Sequence, residues 1–176
     1  MEISIATSEQ TEQLALFGSE TFWQAYRSES KLEAKYIRAY MAKAFSVQQI
    51  KSEIEDEHIE FLLATQDSKL IGYSKLSFAN NHESLQGKKP MELCRIYLAK
   101  SYWGKGLGKD LLDGCVDRAI ARSCDSVWLG VWKQNDRAIG FYKKHGFEIV
   151  GEVEFDLASS IQSDHVMELV VGNPSK

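Results

Sequence analysis

Cysteine is scarce: Cys94, Cys115 and Cys124 are odd in number, widely spaced and free of any CxxC pair. That excludes a disulfide framework and offers no zinc pattern, and His58, His82, His145 and His165 also lack metal-ligand spacing. Positive charge is in deficit, with 21 Lys plus Arg against 25 Asp plus Glu and a formal net charge of −4. No global basic field exists to hold nucleic acid or an anionic membrane. No apolar run approaches the roughly 18 residues of a membrane span, and Met1-Glu2-Ile3 lacks the basic and apolar regions of a signal peptide. These absences predict a soluble, cytoplasmic protein with no membrane, nucleic-acid or metal partner. Repeats, low-complexity tracts and linkers are missing too. The chain therefore reads as one domain over 1–171 with a flexible tail over 172–176.

What is present suits a packed core: 176 residues, 44% hydrophobic and 11% aromatic. A chain of this length buries roughly 70% of its unfolded surface. The alternation at Ile3 and Ile5 predicts a short strand, and Thr7-x-x-Gln10 has capping-box spacing before a helix bearing Leu14, Phe17, Phe22, Ala25 and Tyr26. Helices are predicted from about Lys31 to Phe45 and over 46–57, the latter opened by Ser46-x-x-Gln49. Strands follow over 59–65, 70–78 and 91–98, the first two joined by a turn at Gln66-Asp67-Ser68-Lys69. Leu107, Leu111, Leu112, Cys115, Val116, Ala119 and Ile120 mark the apolar stripe of an amphipathic helix. A strand over 126–132, a helix over 135–145 ended by Gly146, and strands over 147–155 and 165–171 complete the pattern. The class is α/β with a mixed sheet.

Trp103-Gly104-Lys105-Gly106-Leu107-Gly108-Lys109 joins a predicted strand to the strongest helix. Alternate glycines let backbone N–H groups converge on an anion, and a helix N-terminus adds partial positive charge. Lys100, Lys105 and Lys109 reverse the chain's acidic balance locally. The segment is not a Walker A loop, because Asp110 follows Lys109, and its GxGxG spacing is not the GxGxxG of a dinucleotide fingerprint. On its own it reads equally as a phosphate cradle or as a glycine-rich helix cap.

About thirty residues on stands Asn135-Asp136-Arg137-Ala138-Ile139-Gly140-Phe141-Tyr142, followed by Gly146-Phe147. Together with the glycine loop this resembles the GNAT superfamily of acyl-CoA-dependent N-acetyltransferases, whose motifs are [QR]xxGxG/A and NxxAxxxY before a Gly-Phe strand start. The stretch Trp128-Leu129-Gly130-Val131-Trp132, with Thr21-Phe22-x-x-Ala25-Tyr26 and Leu93-x-Arg95-Ile96-Tyr97, looks most like the PaiA-type spermidine/spermine acetyltransferases. The resemblance implies a mostly antiparallel central sheet flanked by helices, and acetyl-CoA as co-substrate. It also implies a cofactor site built from Ile96, Tyr97, Leu98, Gly104, Lys105, Gly106, Leu107, Gly108, Lys109, Asn135, Ala138 and Lys144. Trp103 departs from the Gln or Arg usual there, which is expected to alter affinity without abolishing binding.

Making an amide from an amine and a thioester requires a deprotonated amine, a donor for the developing oxyanion and a proton for the departing thiolate. Tyr142, two helical turns after Asn135, is the candidate proton donor. Asn135 also suits the helix N-cap. By resemblance Glu92 is the candidate base, directly or through a relaying water, although a carboxylate at a strand start is commonly a solvated end. Strand parity places Glu92, Cys94, Ile96 and Leu98 on one face unless a bulge intervenes. Cys94 has no base near it in sequence and reads as packing. Glu53, Glu55, Asp56, Glu57 and Glu60 form an acidic cluster, which alone reads as a solvated helix end. By the same resemblance Trp23, Tyr26, Tyr36 and Tyr40 lie on the acceptor side, where aromatic faces suit a cationic amine, although most of them read equally as core.

The expected activity is therefore direct acetyl transfer to a primary amine, a polyamine by resemblance. A protein N-terminus or lysine is the alternative acceptor, and a non-catalytic acyl-CoA sensor the alternative of another class. Trp and Phe content permits a homo-oligomer without requiring one.

Overall fold

The structure is a computed structural model that describes residues 1–29, 33–158 and 160–172. The predicted helix start at Lys31 and the tail over 173–176 lie outside the described residues. Seven strands form one sheet in the order β1-β2-β3-β4-β5-β7-β6. They are β1 Glu2–Ile5, β2 Ile59–Gln66, β3 Lys69–Ser77, β4 Pro90–Leu98, β5 Ser126–Trp132, β6 Glu148–Leu157 and β7 Ser160–Val170. Every neighbouring pair is antiparallel except β4 and β5. Helices α1 Thr11–Glu29, α2 Ala34–Ala44 and α3 Val47–Ile54 pack on one face, and α4 Leu107–Ala121 and α5 Asp136–Lys144 on the other.

Period-two alternation divides the core. On β2, Leu62 and Ala64 join the α4–α5 cluster while Phe61 and Leu63 join the α1–α3 cluster. The stripe read on α4 is buried at Leu111, Leu112, Cys115 and Ala119, whereas Ile120 is exposed. Asp67 and Ser68, at φ 51° and 60°, reverse β2 into β3 within two residues. The Thr7 N–H donates to Gln10 Oε1 at 2.8 Å, and Ser46 Oγ accepts from the Gln49 N–H at 3.1 Å to cap α3. The first cap opens a short 3-10 turn over Ser8–Gln10, which leads into α1.

Two irregularities position the site. The parallel pair β4–β5 is registered only from Pro90↔Ser126 to Glu92↔Trp128, after which the strands part. On its other edge β4 bulges: Lys75 pairs with Arg95 but Leu76 with Leu93, so Cys94 is the extra residue. The bulge inverts parity. Met91 and Leu93 face the α4–α5 cluster before it, and Ile96 and Leu98 face that cluster after it. This corrects the simple alternation, because Glu92 lies on the face opposite Ile96 and Leu98. Gly72 lets β3 approach the far end of β4, where a Cβ would stand 2.4 Å from Leu98 Cδ2 and 2.8 Å from the Tyr97 carbonyl oxygen.

The last hairpin is longer than the residue pattern predicts. β7 begins at Ser160 instead of 165 and pairs with β6 along its length, down to Leu157↔Ser160. Its added half, from Ser160 to Asp164, contains one large apolar residue, Ile161, which is exposed. Backbone pairing extends this strand where apolar alternation gives no sign of it.

Candidate active site

A cleft of about 960 Å³ opens where β4 and β5 part. Ile96, Tyr97 and Leu98 form its β4 wall, Gly104, Gly106, Gly108 and Lys109 its loop wall, and Asn135, Ala138, Tyr142 and Lys144 its α5 wall. Of the predicted cofactor residues, Lys105 and Leu107 are the two that do not line it. The Lys105 ammonium lies 5.1 Å from the Tyr102 ring centroid, and Leu107 packs against the core.

Gly104 and Gly106 adopt φ of 74° and 83°, and a Cβ on either would meet nothing within 4 Å. Glycine is required there for backbone conformation, and the space beyond stays open. Gly106 caps α4, whose 15 residues direct a positive dipole end at the loop. The expected lysine trio is not what meets the cleft. Lys109 lines it while paired with Asp113; Lys100 does not line it, and α5 contributes Arg137 and Lys144. The Arg137 guanidinium stacks 4.1 Å from the Trp103 ring centroid, and the Trp103 indole N–H donates to the Leu98 carbonyl at 2.8 Å. Trp103 thus fastens the loop to the end of β4 and brings a guanidinium to its face. Trp103, flagged by the motif as affecting affinity, lines the cleft, as do Tyr102, Arg137, Phe141 and His145, which the motifs do not mark. Helical spacing held a signal, since Arg137, Phe141 and Lys144 follow at i, i+4 and i+7.

A second cavity of about 150 Å³ shares Ala25, Ile96, Tyr97, Asn135, Ala138 and Tyr142 with the cleft. It adds Tyr26, Cys94, Arg95, Gly130, Trp132 and Asp164. The two spaces meet at Tyr142, in the gap between the splayed strands. Burial holds the Tyr142 phenol well above its ordinary pKa, so the hydroxyl keeps its proton at neutral pH. The Asn135 side chain accepts from the Ala138 N–H at 3.0 Å, so it caps α5 while lining both spaces. Burial, with the Glu92 charge nearby, raises the Cys94 thiol well above its usual range, and Cys115 is pushed up to about 12 by burial. Neither is a thiolate at neutral pH.

The structure does not bring Glu92 to either cavity. It is half-buried, and its carboxylate accepts from the Asn80 amide. Four of the five carboxylates of the acidic cluster are engaged elsewhere, although Glu53 Oε2 has no hydrogen-bond partner. Glu53 pairs with Lys75 at 2.7 Å, Arg118 holds Glu60 through two bonds of 2.7 and 2.8 Å, Asp56 caps the His58 N–H at 2.8 Å, and Glu55 meets Lys51 at 3.9 Å. None of the five lines the cavity at Tyr142. Among the four aromatics, Tyr26 reaches that cavity. Trp23 instead stacks between Arg27 and Arg38, at 5.2 and 5.3 Å, and Lys35 covers Tyr36 at 4.8 Å.

One carboxylate does line it. Asp164 is 7% exposed, and its Oδ1 has no hydrogen-bond partner. Burial raises its pKa to about 6, against an opposing effect of Lys133. It stands in the half of β7 that the residue pattern left as loop.

A splayed parallel strand pair, a glycine loop opening a helix and a deep cleft between them define an acyl-CoA-binding acyltransferase site. Residues 19–147 match the Acetyltransferase (GNAT) family, and the chain belongs to that family. It is a transferase that uses acetyl-CoA as co-substrate. The crystal structure of PaiA N-acetyltransferase from Thermoplasma acidophilum, in complex with coenzyme A, superposes with a TM-score of 0.76 at 28% identity, covering 97% of this chain and 100% of that one. An uncharacterized N-acetyltransferase of Lactobacillus delbrueckii subsp. lactis is 28% identical over 149 residues, 85% of each chain. Spermidine N(1)-acetyltransferase of Thermoplasma acidophilum is 30% identical over 119 residues, 65% of this chain and 69% of that one. Among the described residues, no group of three or more His, Cys, Asp or Glu could hold a metal ion. No described helix is long and apolar enough to cross a membrane.

Proposed function

We propose that the chain acetylates a primary amine of a small cationic polyamine, such as spermidine or spermine, in the cytoplasm. The observation that carries this reading is the small cavity meeting the cleft at Tyr142, which contains a buried carboxylate and aromatic walls. Its volume of about 150 Å³ takes the end of a slender alkylamine, and the buried carboxylate suits that amine's positive charge. The spermidine acetyltransferase among the relatives supports the same acceptor class.

In this reading acetyl-CoA occupies the cleft, with its phosphates at the Gly104–Gly108 backbone and its thioester beside Tyr142. The amine nitrogen attacks the thioester carbon directly, without an acetyl-cysteine intermediate, because Cys94 is held as a thiol. Beyond Glu92, the β5-side edge of β4 is not committed to strand pairing, so the N–H groups of Ile96 and Leu98, which alternate to that edge, are available to the developing oxyanion and the pantetheine arm. The Tyr142 hydroxyl protonates the departing sulfur.

Thiol release from acetyl-CoA tests the acceptor. Parallel reactions contain no amine, spermidine, spermine, propylamine or a peptide with a free N-terminus. Rapid release confined to the two polyamines is expected. Preferred acetylation of the peptide, or release that ignores the amine, contradicts the reading.

A further inference from the structure

Glu92, the predicted general base, lines neither cavity and would reach the amine only through a relaying water, whereas another carboxylate stands in the small cavity itself. We infer that Asp164 is the catalytic carboxylate that receives the acceptor's ammonium and takes its proton, which rests on reading the small cavity as the acceptor site. Three independent features carry this. Asp164 lines the cavity that contains Tyr142. Its Oδ1 is buried with no protein partner, although a buried carboxylate oxygen ordinarily finds a donor. Its parity on β7 is that of Val166, opposite the Met167 and Leu169 that pack with α4 and α5, so it faces the α1 side of the sheet. The amine thus approaches from the α1 side and the thioester from the α4–α5 side, and they meet in the gap between β4 and β5.

The groups facing Asp164 are the Tyr26 phenol of α1, coupled to it by charge, and Lys133, just beyond β5. Lys133 is itself held by Glu152 at 2.6 Å. Arg95, Cys94 and Tyr142 share the cavity walls. Burial without a partner makes the carboxylate a better base than a solvated one and leaves it ionised at neutral pH, its pKa being about 6.

The step balances as follows. Asp164 Oδ1 accepts one proton from the ammonium, leaving a neutral amine. The nitrogen lone pair forms the C–N bond while the C–S bond breaks, its electron pair leaving on sulfur. Sulfur takes the Tyr142 proton, the nitrogen's second proton restores the phenol, and Asp164 discharges its proton to solvent.

The test is the pH profile of kcat/KM for spermidine. The wild-type rate should rise through a midpoint near 6 as Asp164 ionises and level off by about pH 7.5, because the site and not bulk water deprotonates an ammonium of pKa about 10. Asp164→Asn should lose that acidic limb and at least about 10²-fold in kcat/KM at neutral pH, with the acetyl-CoA KM unchanged. Its melting temperature should not fall, since the amide removes a buried charge, and Asp164→Glu should keep the limb. An acidic limb that persists in Asp164→Asn and vanishes in Glu92→Gln overturns the inference and leaves the polyamine reading standing. Turnover of propylamine or the peptide but not spermidine overturns the polyamine reading, and the same limb, measured with that amine, then decides the role of Asp164.

Discussion

Tyr142→Phe is expected to lower kcat by about 10²–10⁴-fold, the usual contribution of a positioned general acid. The substitution removes one oxygen from a ring that keeps its packing against Phe141 and Phe147, at centroid distances of 5.3 and 5.5 Å. Stability should therefore change little. Acetyl-CoA affinity, read by a thermal shift or calorimetry, should also hold, because the proposed binding mode puts the phosphates at the glycine loop, away from Tyr142. The loss belongs to the step that breaks the C–S bond. A phenol held protonated by burial supplies the proton for that step from within the site, where Tyr142 itself is 8% exposed. An unchanged kcat would remove Tyr142 from the chemistry.

Gly106→Val should act on the opposite end of the site. Gly106 sits at φ 83°, ψ −17°, where a β-branched residue is strained by about 2 kcal/mol. Nothing lies within 4 Å of a Cβ built there, so the strain is backbone strain and not a clash. The loop relieves it by turning its N–H groups away from the phosphates. The expected result is a rise of about 30-fold in the acetyl-CoA KM, the equivalent of that strain, with kcat at saturation little changed. Initial rates at varied acetyl-CoA check it. A fall in kcat at constant KM would contradict a phosphate-binding role.

The parts of this molecule that sequence makes legible are those with a period or a motif. Alternation gives β1, short apolar runs give β2, β3 and β5, the apolar stripe gives α4, and Asn135 with Tyr142 marks α5 as the helix that reaches the cleft. Two parts carry no such sign: a bulge, and the polar extension of a regularly paired strand. The bulge at Cys94 carries no residue signature, yet it reverses which β4 side chains face the cleft and turns Glu92 away from Ile96 and Leu98. The first half of β7 is polar where strands are ordinarily recognised by apolar alternation, so Asp164 stood in an apparent loop. The fold brings it beside Gly130 and Tyr26 in the small cavity, residues distant in sequence. The acidic cluster was conspicuous for the reverse reason: adjacency in sequence brought five carboxylates together, and the fold assigns most of them to Lys75, Arg118, Lys51 and a turn N–H. The lysines of the glycine loop behave similarly, since the cations at the cleft include Arg137 and Lys144 from another element.

The central claim is that thioester and amine meet at Tyr142 in the gap between β4 and β5. A crystal structure of the protein with coenzyme A and spermidine tests it most directly. The account predicts pyrophosphate on the Gly104–Gly108 backbone, sulfur within about 3.5 Å of the Tyr142 hydroxyl and a spermidine nitrogen within about 3 Å of an Asp164 carboxylate oxygen. Sulfur seated away from Tyr142, or the amine bound on the α4–α5 side of the sheet, would contradict it.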